Sequence, residues 1–323
     1  MRSALAAALA VALGCGGATA DNDAPAAQVP LCTDAVVASI DNAAAPAADS
    51  NDYAAAPAAQ LADLKASVQA AIAGDSGEAV RRAALADYEL CRSGTLVRWR
   101  PTDAAVGRAT IVWRSSAARG LIVGAPHPQY ETNTLDEARL LFEQVSARAL
   151  IVSGTHRCAN TEATSCSGTT AVCGASGPYR ESDMAHVVGS AFQAAHEVLI
   201  AAFATDWVVS LHGMAGAGAS LSNGTTGAIA AGAPVARLAA ALAQQFPSDA
   251  ITTCNDYAGA TVDHRLCGTT NVQGRAVNGS ADVCTSAAAA NASERFVHLE
   301  QSPDVRVARQ RVVEAFATVV PSL

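Results

Sequence analysis

Residues 120–131 read GLIVGAPHPQYE, an apolar run of strand length that changes at once into a polar segment. Short apolar runs of this kind are typical of strands that are buried on both faces of a parallel sheet. The runs ALIVS at residues 149–153 and WVVSL at residues 207–211 have the same character. Between the runs, apolar periodicity predicts helices over residues 135–147 and 182–203, the second capped by a serine at its start.

Further segments extend this pattern toward the carboxyl terminus. Helices are predicted over residues 234–246 and 303–320, and short strands over residues 109–113 and 295–300. Strands that alternate with helices predict an α/β fold with a mostly parallel or mixed central sheet flanked by helices. The chain has 323 residues, of which 50% are hydrophobic and 15% are charged, so it can bury a large core.

The part of the chain before residue 101 differs from this pattern. Residues 1–20 begin with Arg2 and an apolar run of ten residues, which predicts an export signal. Residues 21–56 are rich in Ala, Pro, Asp and Asn and predict a tether. Residues 57–74 and 77–91 predict a small helical hairpin. We therefore expect a signal over 1–20, a tether and helical N-terminal region over 21–100, and an α/β domain over 101–323.

Two cleavage sites fit the export signal. Gly14-Cys15 resembles a lipobox, in which Cys15 carries a lipid anchor, and Ala18-Thr19-Ala20 matches a signal-peptidase site. The mature protein is then a periplasmic or cell-surface lipoprotein in the first case, or a secreted protein in the second. No later apolar run reaches the length of about 18 residues that a transmembrane helix needs. No basic cluster is present and the net charge is −8, which argues against nucleic acid as a partner.

The cysteines also favour export. Either cleavage removes Cys15 from a total of nine cysteines, and the even number that remains suits four disulfides in an oxidising compartment. Proximity suggests Cys32 with Cys91, two pairs that use a cluster of three cysteines and one distant partner, and one pair from the last three cysteines. The cluster is Cys158, Cys166 and Cys173, and the last three are Cys254, Cys267 and Cys284.

Histidine and glutamate residues, whose side chains are common metal ligands, follow or end three of the predicted strands. His127 and Glu131 follow GLIVG, His212 follows WVVSL, and Glu300 ends the strand over 295–300. In α/β sheets, functional residues gather at the carboxyl ends of strands. Two histidines and one glutamate form a zinc ligand set that leaves a coordination position open for water, and Glu300 is a candidate general base. Each residue also has an ordinary structural explanation: a histidine hydrogen bond, or a carboxylate near a helix start.

The motifs around these residues resemble the poly-γ-glutamate hydrolase family of zinc enzymes, which is related to the zinc carboxypeptidases. The resemblance implies a zinc-carboxypeptidase-like fold, Zn²⁺ on His127, Glu131 and His212, Glu300 as general base, and hydrolysis of an amide. The spacing from His127 to Glu131 and the cysteine-rich loop at 158–173 depart from the family pattern and leave the substrate open. The matching motifs are Ala125-Pro126-His127…Glu131, Val209-Ser210-Leu211-His212-Gly213 and Val297-His298-Leu299-Glu300-Gln301-Ser302…Arg306.

Three arginines are candidates for binding the carboxylates of a substrate. Arg157 follows a strand, Arg275 lies in a segment with Gly and Asn, and Arg306 follows Glu300; a solvated or salt-bridging arginine is the alternative for each. His186 and Asp183 are assigned to the predicted helix, with Asp183 as part of its cap, and residues 213–232 are expected to form a mobile loop.

Three functions fit these observations. The first is a zinc-dependent hydrolase of peptide or γ-glutamyl amides outside the cytoplasm. The second is an envelope lipoprotein that keeps the fold for binding without catalysis. The third is a zinc deacetylase or deformylase type of amidohydrolase, which would lack an arginine directed at a substrate carboxylate.

Overall fold

The computed structural model describes residues 28–41, 43–289 and 292–321. Nine strands form one sheet in the order β1-β2-β3-β5-β4-β8-β11-β9-β10, and β6 and β7 form a separate hairpin. The strands are β1 Tyr88–Ser93, β2 Leu96–Pro101, β3 Thr110–Arg114, β4 Arg119–Ala125, β5 Ala147–Val152, β6 Thr169–Thr170, β7 Gly177–Pro178, β8 Trp207–Gly213, β9 Ala219–Ser222, β10 Ile251–Thr253 and β11 Phe296–Gln301. The helices are α1 Ala58–Ala73, α2 Ser76–Leu85, α3 Thr134–Gln144, α4 Ala191–Ala202, α5 Pro234–Gln245, α6 Val272–Val277, α7 Pro303–Val307 and α8 Arg309–Val319.

The sheet is mixed, with its parallel strands at the centre. Strands β5, β4, β8 and β11 run parallel, whereas β1, β2 and β3 pair antiparallel at one side. One face packs against α3, α5 and α8, and the other against α1, α4 and α6. The predicted fold class is therefore confirmed: an α/β fold with a mixed central sheet between helices. Because the central strands are parallel, their carboxyl ends meet at one edge of the sheet.

Several predicted elements have different bounds. The helix predicted over residues 182–203 begins at Ala191, where the Ser190 side chain accepts a hydrogen bond from the Gln193 backbone. Ser182 and Asp183 are therefore not a helix cap. The second helix of the predicted hairpin ends at Leu85, and the residues that follow form β1.

Other differences lie on the carboxyl side. The predicted final helix is divided between α7 and α8. The segment expected as a mobile loop over residues 213–232 contains β9, which is buried along its length between β11 and β10. β9 was missed because its sequence, ASLS, carries small residues whose strand conformation depends on pairing with both neighbours.

The described part of the predicted tether is packed into the fold. Val36, Val37 and Ile40 are buried in the same core as α3 and α8, and Tyr53 is buried in the other core. A disulfide between Cys32 and Cys91 joins this segment to β1. The sheet also continues across the predicted boundary at residues 100 and 101, since β1 precedes it and β2 runs through it. The alanine-rich composition concealed the few large apolar residues that hold the segment.

The described residues contain four disulfides, and these agree with the predicted pairings. They indicate a protein that matures in an oxidising environment outside the cytoplasm. No helix among the described residues is long and apolar enough to cross a membrane. The predicted export signal, Cys15 and both cleavage sites lie outside the described residues. The disulfides are Cys32–Cys91, Cys158–Cys173, Cys166–Cys284 and Cys254–Cys267.

Candidate metal centre

The carboxyl ends of β4, β8 and β11 bring the predicted ligands together. His127 and Glu131 follow β4, His212 lies near the end of β8, and Glu300 faces His212 in the register of β11 with β8. One potential ligand atom from each of His127, Glu131 and His212 lies within 4.8 Å of the others. The three side chains therefore converge, as the sequence predicted.

A single turn of backbone after β4 explains how residues four apart can converge. The Glu131 backbone N–H donates to the His127 carbonyl at 2.9 Å, as in one turn of helix. This turn places both side chains on the same side, because residues four apart are neighbours on a helical surface. His127 Nδ1 lies 2.9 Å from Glu131 Oε1. The His-x-x-x-Glu spacing is therefore compatible with a shared metal ion.

The strand conformation of β8 orients His212. Ser210 and His212 are two residues apart and point to the same face of the sheet. Ser210 Oγ lies 2.9 Å from His212 Nε2, which leaves Nδ1 to face Glu131 Oε2 at 3.5 Å. Two atoms that bind one zinc ion tetrahedrally at about 2.1 Å lie roughly 3.4 Å apart, so the spacing from His212 to Glu131 suits a common metal.

Asp183 is a site residue that the sequence analysis missed. Its Oδ1 lies 2.7 Å from His127 Nε2 and 2.8 Å from His186 Nδ1, and the side chain is buried. Arg157 donates to Asp183 Oδ2 from Nη2 at 2.6 Å and from Nε at 3.1 Å. A carboxylate on the far nitrogen of a metal-binding histidine fixes the ring and its tautomer. Asp183 thus orients His127 with Nδ1 toward Glu131.

The charges at this site oppose the cost of burial. Burial would raise the pKa of Glu131, but His127 and His212 hold it below its usual range. The pKa of Asp183 is likewise lowered, since Arg157 and the histidines outweigh burial. Burial and Arg157 lower the pKa of His127, yet Asp183 and Glu131 outweigh them and raise it. Metal binding at these ligands would compete with protonation, because a histidine or a carboxylate binds a metal only in its deprotonated form.

The donor set fits a divalent metal ion. Glu131 Oε2 is buried and has no hydrogen-bond partner among the described residues. A buried carboxylate oxygen without a hydrogen bond is costly, and a cation would relieve that cost. Two further groups with metal-binding geometry share a histidine with the first: His127 with Asp183 and His186, and His212 with His298 and Glu300. These buried groups could hold a metal ion.

Glu300 lies beside the candidate ligands. It is 8% exposed, and its Oε1 is 3.7 Å from His298 Nε2. Burial raises the pKa of Glu300 to about 7, while the charge of His212 acts in the opposite direction. A carboxyl group with a pKa near neutrality can both accept and return a proton under physiological conditions.

The three predicted substrate-binding arginines have different environments. Arg157 is paired with Asp183 and also donates from Nη1 to Glu131 at 3.3 Å. Arg275 lies away from this ligand set and donates to the backbone carbonyls of Thr269 and Cys284 at 3.0 and 2.7 Å. Arg306 is close to the site, because its guanidinium packs directly against Gly213. Protein groups thus already engage Arg157 and Arg275, and the substrate-binding role of all three arginines stays a prediction.

Comparison with known proteins adds no assignment. The chain matches no protein-family model, no curated protein and no solved structure. The resemblance to poly-γ-glutamate hydrolases therefore stays a prediction that rests on three short motifs. The evidence for function is the geometry of the candidate metal centre itself.

Proposed function

We propose that this protein is a zinc-dependent hydrolase of amide bonds that acts outside the cytoplasm. The observation that carries the proposal is the convergence of His127, Glu131 and His212 around a buried carboxylate oxygen that accepts no hydrogen bond from the described residues. Two imidazoles and one carboxylate are a donor set typical of catalytic zinc, because three protein ligands leave a position open. Disulfides support the extracytoplasmic location, and a lipid anchor through Cys15 remains part of the proposal.

The residues divide the work of amide hydrolysis. His127, Glu131 and His212 would hold the zinc ion, which would serve as a Lewis acid to acidify water and polarise the scissile carbonyl. Glu300 accepts a proton from the attacking water and returns it to the leaving nitrogen as the carbon–nitrogen bond breaks. Asp183 keeps His127 oriented, and Arg157 holds Asp183 in place.

A peptide or γ-glutamyl amide is the first substrate class we propose. A second candidate is an amide without a neighbouring carboxylate, as in a deacetylase or deformylase. One observation favours the second: Arg157 and Arg275, two of the three arginines predicted to bind a substrate carboxylate, already donate to protein groups. Arg306 remains the cation at the site for the first class.

Metal analysis and two substitutions test the proposal. We expect about one zinc ion per purified chain, and the loss of that ion in His127→Ala. Glu300→Gln should keep the metal and lose at least about 100-fold in kcat, because general acid–base catalysis typically contributes that much. The substrate panel contains peptides with a free carboxyl terminus, γ-glutamyl oligomers and N-acyl amides.

Glu143→Gln is the matched control, since Glu143 is an exposed glutamate on α3. It should leave both metal content and turnover unchanged. Full turnover by Glu300→Gln would remove Glu300 from the mechanism. A chain that binds no divalent metal would remove the hydrolase proposal and leave the non-catalytic binding protein.

A further inference from the structure

His298 is a buried histidine beside the candidate metal centre that the proposed mechanism does not use. It precedes Glu300 by two residues on β11, so both side chains point to the same face of the sheet. In the register of β11, His298 lies opposite Ser210 of β8 and Ser222 of β9. Its position next to Glu300 therefore follows from the strand itself.

The imidazole of His298 is fixed by its neighbours. It packs against the ring of His212, with 4.5 Å between the ring centroids and an interplanar angle of 33°. The backbone of Gly268 also packs against the His298 ring, because a Cβ on Gly268 would lie 2.7 Å from His298 Cγ and Cδ2. Gly268 follows Cys267, which is joined to Cys254 by a disulfide and accepts a hydrogen bond from Ser222 Oγ on its carbonyl oxygen. The ring is only 5% exposed and has little room to rotate.

The two ring nitrogens of His298 have different surroundings. Nε2 lies 3.7 Å from Glu300 Oε1, whereas Nδ1 is buried without a hydrogen-bond partner in the described parts of the chain. A neutral imidazole carries one N–H. With the hydrogen on Nε2, that N–H points at the Glu300 carboxylate. The distance exceeds the usual 2.7–3.2 Å of an N–H···O bond by about half an ångström, so the two groups form no hydrogen bond in the structure, and Glu300 would have to rotate toward the ring to form one.

Besides a hydrogen bond with His298, the Glu300 carboxylate could form a bond with the metal ion. One potential ligand atom from each of His212, His298 and Glu300 lies within 4.8 Å of the others. The Glu300 carboxylate is thus within reach of a metal ion held by His212. A carboxylate that binds the metal would fill the open coordination position and would no longer be available as a base.

We propose that His298 is a positioning residue that holds Glu300 off the metal ion and so keeps the open coordination position accessible to water. The N–H of His298 competes with the metal for the Glu300 carboxylate. The fixed ring makes this competition effective, since the position of the His298 N–H does not change when Glu300 moves. This inference rests on the proposed function, because it requires a bound metal and a base at Glu300.

Substitution of His298 in the intact, disulfide-bonded chain tests the inference. His298→Phe keeps a ring of similar size and removes the N–H. If this variant folds poorly, His298→Leu also removes the N–H and has a smaller side chain. His298→Gln restores an N–H donor through its amide. The chain is loaded with Co²⁺ in place of Zn²⁺, and the visible absorption spectrum reports the coordination of the metal independently of turnover.

We expect His298→Phe to change the cobalt spectrum and to lower kcat about 10- to 100-fold, as is usual for residues that orient a metal site, with KM changed less. His298→Gln should recover most of both properties. The double variant His298→Phe/Glu300→Gln should have the cobalt spectrum of Glu300→Gln alone, because it lacks the carboxylate that would bind the metal.

Two failures are distinguishable. A chain that takes up no Co²⁺ or Zn²⁺ overturns the proposed function together with this inference. A chain that binds metal, but in which His298→Phe has the cobalt spectrum and kcat of the unmodified protein, overturns the role of His298 alone. A changed spectrum that persists in the double variant also overturns it, because the change would then not come from Glu300.

Discussion

Gly213 lies between the candidate ligand Glu131 and Arg306 of α7. A Cβ on Gly213 would lie 1.4 Å from Arg306 Nη1, 2.5 Å from Arg306 Cζ and 3.1 Å from Glu131 Cβ. The guanidinium of Arg306 therefore lies directly on the backbone that follows His212. Glycine is required here by close packing, because any larger residue would push Arg306 or Glu131 out of place.

We predict that Gly213→Ala lowers the free energy of unfolding of the metal-free protein by about 1–3 kcal/mol, as overpacking of a buried site usually does. Metal affinity should also fall about 10-fold or more, since Glu131 must shift. Urea unfolding and metal competition with a chelator measure the two effects. Gly232→Ala is the control, because a Cβ there meets no atom within 4 Å. Equal stability of the two variants would show that Arg306 adjusts freely.

His196 is a second residue whose environment is unusual. It lies on α4 and lines a small cavity with apolar neighbours that include Phe192 and Phe296. Neither ring nitrogen has a hydrogen-bond partner among the described residues, and burial lowers the pKa of His196 to about 3. The folded protein therefore holds His196 neutral, whereas the unfolded chain binds a proton below about pH 6.5.

This difference predicts a pH dependence of stability. Between pH 6.5 and about pH 3 the unfolded state binds one more proton at His196, so stability falls as the pH is lowered. The loss is about 1.4 kcal/mol per pH unit, or roughly 2 kcal/mol at pH 5. His196→Leu should abolish this component and be at least as stable as the unmodified chain at pH 7. Urea unfolding of both metal-free proteins at pH 7 and pH 5 measures it, and equal losses would contradict the assignment to His196.

At the scale of elements, the central strands and the residues that follow them could be predicted from the sequence. Each of the three strand runs is apolar and ends at a polar residue, and buried parallel strands have this signature. Because parallel strands end at a common edge, the positions of His127, Glu131 and His212 in the chain were sufficient to predict that they meet. Glu300 was placed by the same argument.

The loop between β5 and α4 could not be predicted in the same way. Ser182 was predicted as the helix cap, whereas Ser190 caps α4 in the structure. In the structure Ser182 Oγ instead donates to the Arg157 carbonyl and accepts from the Asn160 backbone. Such contacts between distant residues carry no local signature. The spacing of three residues between Asp183 and His186 could have revealed Asp183 as a site residue. Both residues had instead been assigned to the predicted helix.

At the scale of the whole molecule, two of the four disulfides among the described residues adjoin residues that lie at the candidate site. Cys158 follows Arg157 directly, and Cys267 precedes Gly268, which packs on His298. Cys166 and Cys284 join two loops that are 118 residues apart in the chain. Arg275 reinforces that link, because it donates to the Cys284 carbonyl and to Ser167 Oγ. The extended loops are thus held by covalent bonds and by an arginine where regular structure is sparse.

This arrangement predicts different consequences for two of the disulfides. Cross-links that close long loops restrict the unfolded chain most, by about 5 kcal/mol for roughly 100 residues and about 3 kcal/mol for roughly 15. Cys166→Ala/Cys284→Ala should therefore lose more stability in urea than Cys254→Ala/Cys267→Ala, whose partners are 13 residues apart. The second variant should have the larger effect on the cobalt spectrum, since its loop fixes His298 through Gly268. If the order of stabilities in urea is reversed, strain or residual structure, and not loop length, sets the stabilisation by these bonds. If the cobalt spectrum is unchanged in the second variant, Gly268 keeps its place without the cross-link.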